Sequence, residues 1–280
     1  MSIVGITGQA GSGKDTVADR LVKEHGFQKV ALADPIKRFG YHVFGFSEEQ
    51  LWGPSDKRNE VDPRFTLCEI RSANVDFGPK STTNKLSRVC DGGWYVAAKS
   101  LLEYGPEWLQ EVVPGCDVEE QMEGLCLWFA TMGHKYPQLS PRIMLQHLGT
   151  EWGREYVNEN VWVDCMLETS RRILEEGRPY DRKNGLNSDV TLREKDQPNG
   201  VVISDVRFMN EIKAIQEGDG KLIRVKRPKT DRKSTKVGIT YHASEEEQKQ
   251  FSDEMFDIII LNDGSVKDLE EDIDEVVGTL

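Results

Sequence analysis

Gly8-Gln9-Ala10-Gly11-Ser12-Gly13-Lys14-Asp15-Thr16 lies between a short apolar run, Ser2-Ile3-Val4-Gly5-Ile6-Thr7, and a segment from Lys14 to His25 in which Val17, Ala18, Leu21 and Val22 recur at helical spacing. A G-x-x-x-x-G-K stretch that follows a strand and opens a helix reads as a phosphate-binding loop. The glycines let backbone N–H groups turn inward and approach phosphate oxygens. The helix beginning near Lys14 points its positive end at the same place, and Lys14 adds a full charge. The expected phosphate contacts are Gly11, Ser12, Gly13, Lys14, Asp15 and Thr16. The usual pattern has Ser or Thr directly after the lysine; here Asp15 stands there and the hydroxyl comes one place later, at Thr16. Thr16 is the candidate Mg²⁺ ligand. Asp15 has two readings: it orders the metal through water or meets a substrate, or it is an acid at the positive end of a helix.

Working outward, Gly26 is a helix stop. Phe27–Ala31 reads as a second strand and Pro35–Phe44 as a helix with proline in its first turn. Strand, turn, helix and strand within about 30 residues make a βαβ unit. Ser47–Asp62 is polar with one tryptophan, and 72–88 reads as loop. Helices are expected at Trp94–Trp108 and Glu119–Met132. Ser140-Pro141 is an N-cap followed by proline at the first helical position, and a helix runs from there toward Gly149. Further helices are expected at Thr150–Tyr156 and Val161–Glu176, and a long polar loop at 177–199. Val201-Val202-Ile203-Ser204 is a buried parallel strand by composition. A helix at Asn210–Glu217, strands at Lys221–Val225 and Phe256–Leu261, and an acidic helix at Val266–Val277 complete the chain.

This alternation predicts an α/β fold of three layers with a parallel sheet, a single domain over 1–280. An inserted region, mostly helical or irregular, is expected at about 72–135, and a basic lid at about 226–244. In such sheets ligands bind beyond the carboxyl ends of the strands. The strand at 201–204 ends in Asp205, with Arg207 two residues on and Glu211 four beyond. An acid and an arginine at a strand end suit a metal and a phosphate, although Asp-x-Arg alone also fits a structural ion pair. From Lys221 to Lys236 eight of sixteen residues are Lys or Arg. A closing loop can neutralise charge on a transferring phosphoryl group. Arg227 and Arg232 are its candidate ATP-phosphate contacts, against the alternatives of a solvated charge run or a nucleic-acid patch.

The 280-residue chain carries a net charge of −12. That argues against a stable nucleic-acid partner, which needs a basic footprint, but not against a small phosphorylated substrate. No apolar run approaches the ~18 residues of a membrane span. The N-terminal residues form neither a signal nor a transit peptide, so the expected location is the cytoplasm. Five cysteines, with no C-x-x-C pair, read as reduced thiols. Homodimer formation is left open.

The motifs together resemble those of the phage deoxynucleoside monophosphate kinases. The carrying stretches are 8–16, Ala33-Asp34-Pro35-Ile36-Lys37, Pro141-Arg142, Leu148-Gly149-Thr150-Glu151-Trp152-Gly153-Arg154, Val161-Trp162-Val163, Ser204-Asp205-Val206-Arg207-Phe208 with Asn210-Glu211, Arg227-Pro228, His242-Ala243-Ser244-Glu245 and Asn262-Asp263-Gly264. Gly-Lys-Asp-Thr in the loop also points to a small-molecule kinase and away from a GTPase or motor. The resemblance implies a P-loop NTPase fold with ATP and Mg²⁺, a deoxynucleoside 5′-monophosphate (dNMP) as acceptor, and a role in dNTP supply for phage DNA synthesis in the infected cell. It implies catalytic roles for Lys14, Asp15, Arg142, Asp205 and Arg207. The acceptor would meet Asp34, Lys37, Arg58 (or Arg64 in its place), Arg142, Trp162, Asp205, Arg207 and Glu211, and Mg²⁺ would meet Thr16 and Asp205, directly or through water. Trp162 equally reads as core. Residues 72–135 match the pattern poorly. Two rivals remain: a P-loop kinase with another acceptor (a modified base in DNA, dephospho-CoA or phosphomevalonate), and a non-catalytic nucleotide switch.

Overall fold

The computed structural model describes residues 2–65, 92–136, 138–228, 247–248 and 250–280. They divide into two compact units, Met1–Leu32 with Met166–Leu280, and Ala33–Cys165.

In the first unit β1 (Ser2–Thr7) leads through the glycine loop into α1 (Lys14–His25) and β2 (Phe27–Val30). Gly26 ends α1 at φ 69°, where only glycine sits without strain. After the second unit, α8 (Val161–Glu175) carries the chain back. The polar stretch that follows holds a small hairpin, β3 (Tyr180–Asp181) with β4 (Gly185–Leu186), and a 3₁₀ turn, Glu194–Asp196. Then come β5 (Gly200–Ile203), α9 (Met209–Glu217), β6 (Lys221–Lys226), β7 (Ile258–Leu261) and a C-terminal helix, Val266–Val276.

The main sheet is parallel throughout, in the order β2-β5-β1-β6-β7. Strands covered on both faces lose the in-out alternation of an exposed sheet, and β5 is buried at every position. Val4, Ile6, Val202, Ile223 and Val225 form the core with Val17, Ala18 and Leu21 of α1 and Leu269 and Ile273 of the C-terminal helix. β1 pairs with β5 on one side (Ile3 opposite Val201) and β6 on the other (Ile6 opposite Ile223). The carboxyl ends of β1, β5 and β6 therefore lie side by side, and the glycine loop, Asp205 and Arg227 follow those three ends.

The second unit is helical: α2 (Asp34–His42), α3 (Glu48–Trp52), α4 (Ser55–Asn59), α5 (Gly93–Val112), α6 (Val118–Lys135) and α7 (Pro141–His147). Ser140 caps α7 by accepting from the Ile143 N–H at 3.3 Å. Where a separate helix was expected at 150–156, α7 instead runs on into a widened π-type helix, Leu148–Val157. Its two glycines explain the close fit: a Cβ on Gly149 would lie 3.2 Å from Ile36, and one on Gly153 only 2.3 Å from the Trp162 ring. The unit has its own aromatic core, in which Phe39, Phe44, Phe65, Trp94, Trp108 and Phe129 meet edge-on or tilted. Buried Arg38 is paired with Glu111, and the Trp108 N–H donates to the Pro35 carbonyl at 2.9 Å. Compact contacts thus begin at residue 33 and run to 165, wider on both sides than the insertion expected at 72–135. The reason is that α5 and α6 bury their aromatic faces on residues 35–65, a long-range pairing that local pattern does not carry.

Candidate active site

The loop after β1 is held by its own backbone. Gly11 and Gly13 have φ of 78° and 105°, a region closed to most side chains. The Ser12 N–H donates to the Gln9 carbonyl at 3.0 Å, and the Val17 N–H to Gly13 at 3.1 Å, which starts α1. From the end of β7, the Asn262 amide donates to the Ser12 carbonyl at 2.7 Å and is buried there. The same amide would lie 2.5 Å from a Cβ on Gly13. A cavity of about 220 Å³ runs along the loop, lined by Thr7, Gly8, Gln9, Ser12, Lys226 and Arg227 among others. The Thr7 and Ser12 hydroxyls are buried and have no hydrogen-bond partner in the protein. Buried polar groups without partners are costly, and a run of acceptor oxygens such as a polyphosphate satisfies hydroxyls and loop N–H groups together.

Lys14 sits at the start of α1. Burial lowers its pKa from the usual lysine value; Arg207 and Lys29 push the same way, while Asp15 and Asp205 oppose them. A partly desolvated ammonium at the start of a helix favours a nearby anion. Asp205 accepts from the Leu32 N–H at 2.7 Å, which fixes one carboxylate oxygen at the strand end. Arg207 is exposed. Glu211 is 2% exposed, and its Oε2 accepts from the backbone N–H groups of Arg207 and Phe208 at 2.7 and 2.9 Å. Those bonds make it a brace for the Asp-x-Arg turn. Asp15 is largely exposed and lies 3.7 Å from Lys29, which makes a shorter pair with Asp19 at 2.9 Å.

The basic run divides. Lys221 pairs with Asp257 at 3.2 Å, and Arg224 and Lys226 share Asp253 at 2.8 and 2.5 Å. Those cations are tied to the return segment. Arg227 instead reaches back to the loop, its Nη1 3.5 Å from the Gly11 carbonyl. Arg232 and His242 lie outside the described residues, as does 229–244 of the lid expected at about 226–244.

In the helical unit the candidate acceptor residues sit on neighbouring elements. Asp34 is buried and accepts from the Trp52 N–H at 3.3 Å. The Lys37 ammonium is 6.0 Å from the Trp52 ring centre. Arg58 donates to the Gly53 carbonyl at 2.8 Å, and Arg142 donates to the Asn59 side chain. Trp162 has the core arrangement rather than an open pocket face: 3% exposed, it donates its N–H to the Gly149 carbonyl at 2.8 Å and packs near Trp108 and Trp152. Sequence reasoning missed Trp52, whose one signal was a tryptophan in a polar stretch. It also left Asn262 without a role, although the residue stands in a quoted motif.

Oxygen donors at Thr16 and Asp205 are the hard ligands that Mg²⁺ takes. Among the described residues no group of three or more His, Cys, Asp or Glu side chains could hold a metal. Among the same residues no helix is long and apolar enough to cross a membrane.

A phosphate loop on the central strand of a parallel sheet, with an acid at the end of the adjacent strand, makes the first unit a P-loop NTPase-type α/β fold. Along most of its length the chain is similar to deoxynucleoside monophosphate kinases. It is 25% identical over 268 residues to a protein of Acanthamoeba polyphaga mimivirus whose provisional name is deoxynucleotide monophosphate kinase, covering 96% of this chain and 92% of that one. It is 26% identical over 231 residues to the deoxynucleoside-5′-monophosphate kinase of Escherichia phage T5, covering 77% and 72%. No protein-family model matches the chain.

Proposed function

We propose that the protein is an ATP-dependent kinase that transfers the γ-phosphoryl group of ATP to a deoxynucleoside 5′-monophosphate, giving the diphosphate. The observation that carries the reading is the partly buried Lys14 ammonium at the head of a glycine loop on the central strand, with Asp205 at the end of the adjacent strand, in a chain similar over most of its length to two proteins of that name.

The acceptor is a phosphate oxygen that is already an anion, so the reaction needs position and charge neutralisation more than a base. Loop N–H groups and Lys14 hold the donor phosphates. Arg227 neutralises charge from the lid side, with Arg232 as its expected companion. Arg207, held at its backbone by Glu211, is the acceptor contact assigned within the first unit, and Arg142 the one assigned within the second. Thr16 and Asp205 are the residues that would hold Mg²⁺, which would neutralise charge developing on the phosphates. Asp34, Lys37 and Arg58 bind the rest of the acceptor. The product would feed dNTP supply, and the reaction is an intracellular one.

The test is ADP release from ATP with Mg²⁺ against dAMP, dGMP, dCMP, dTMP and 5-hydroxymethyl-dCMP, with dephospho-CoA, phosphomevalonate and single-stranded DNA as rival acceptors. Lys14-dependent turnover on at least one dNMP supports the reading. Turnover on a rival alone, or nucleotide binding with no turnover, overturns it.

A further inference from the structure

Trp52 closes α3 in a place that its sequence does not explain as core. It is half-buried, not enclosed like the six large aromatic residues of the unit's centre. Its ring is nonetheless fixed. The indole N–H donates to the Asp34 carboxylate at 3.3 Å, Tyr41 lies against it with ring centres 6.2 Å apart, and the next residue, Gly53, has its carbonyl held by Arg58 at 2.8 Å. α2, α3, α4 and α7 all contact one another in turn around it.

One cation lies over this ring, and two guanidinium groups hold turns elsewhere in the same unit. Lys37 stands 6.0 Å from its centre, Arg58 grips the adjoining turn, and Arg142 on α7 is joined to Asn59 at the end of α4. A fixed, partly open aromatic ring with an ammonium over it and guanidinium groups in the same unit matches a ligand with a flat heteroaromatic part and a dianionic part. A nucleoside monophosphate has that chemistry. Stacking on an aromatic side chain accepts every base, because each has a π-face.

We infer that Trp52 is the stacking platform for the acceptor nucleobase, positioned by Asp34, with Lys37, Arg58 and Arg142 on the phosphate and sugar side. This rests on the kinase reading and extends it to a residue that neither the motif resemblance nor the relatives' names single out. Base stacking of this kind is worth about 1–3 kcal/mol per base, or about 5- to 150-fold in affinity. The N–H bond to Asp34 fixes the ring and does not itself touch the ligand, so Trp52→Phe should keep most of the stacking.

The experiment measures KM for a dNMP, KM for ATP and thermal stability in the wild type, Trp52→Phe and Trp52→Leu, with 2-deoxyribose 5-phosphate as a baseless acceptor. The inference expects Trp52→Leu to raise the dNMP KM about 5- to 150-fold with the ATP KM unchanged. It expects Trp52→Phe to lie close to wild type, and any slow turnover of the baseless acceptor to be the same in all three proteins. An unchanged dNMP KM in Trp52→Leu overturns it. So does a parallel rise in both KM values with a lower melting temperature, which marks a structural role. A wild type that transfers to no dNMP sinks the kinase reading instead, and the two failures are thereby separate.

Discussion

The side-chain amide of Asn262 donates to the main-chain carbonyl of Ser12 at 2.7 Å and lies against Gly13. The end of the last strand thereby fixes the curvature of the loop that starts the first helix. Replacing Asn262 with Ala leaves a buried carbonyl without its donor and loosens the loop, at a cost of about 1–3 kcal/mol. The ATP KM should rise while the dNMP KM stays near its wild-type value. Steady-state kinetics and denaturant unfolding check both halves.

Burial of the Lys14 ammonium carries a cost that a bound anion would offset. Its folded-state pKa lies below the ordinary lysine value, so the unfolded chain holds that proton more tightly. The folded protein therefore carries a penalty at every pH below the folded pKa, which fades as pH rises toward 10.5. Lys14→Met should lose at least about 10²-fold in kcat, as removal of one transition-state donor does elsewhere. Without nucleotide its melting temperature at pH 7 should match or exceed that of the wild type. A variant both inactive and markedly less stable speaks against this account of Lys14.

Glu211 holds two consecutive N–H groups behind Arg207. Glu211→Ala frees both in a buried place, and bonds to a charged acceptor are worth about 1.5–3 kcal/mol each. The prediction is a clear loss of stability together with a lower kcat, because the Arg207 backbone is no longer set. Glu211→Gln retains one acceptor oxygen and should fall between the two.

The C-terminal helix docks on α1 through Asp274, which accepts from Arg20 at 2.6 Å and meets the His25 ring at 2.7 Å. Hydrogen bonds from Arg20, then His25, hold the carboxyl down to about 2. A depressed carboxyl pKa gives stability that is complete above the unfolded value, near 3.8, and lost as pH falls through about 2. Asp274→Asn should melt below the wild type at pH 7, and the gap should close in acid. The pair is exposed and screened, so the gap should also narrow in high salt.

How much of this was legible in the sequence follows from the range of the interactions. β1, the loop, α1 and β5 could be read because each announces itself locally, by a buried apolar run, glycines at fixed offsets or a 3.6-residue period. The Ser140 cap was legible for the same reason. Most helices of the second unit were legible too, but their packing was not. The unit's core joins Phe39 and Phe44 to Trp108 and Phe129 across some seventy to eighty residues of chain, and helical periodicity does not say which faces meet. Trp162 and Trp52 show the same limit at single residues. Both are tryptophans at the ends of helices, yet one gives its N–H to a core carbonyl and the other is half-buried with Lys37 over its ring. The resemblance made Glu211 an expected acceptor contact. That it spends an oxygen on two backbone N–H groups could be known only from the turn itself.

The most direct test of the central claim is to follow the terminal phosphate of γ-labelled ATP with the protein, Mg²⁺ and each dNMP in turn, and to separate the products. The account predicts label in the β-position of a deoxynucleoside diphosphate, formed by the wild type and not by Lys14→Met. Label released only as inorganic phosphate, or found only in a non-nucleotide acceptor, would contradict it.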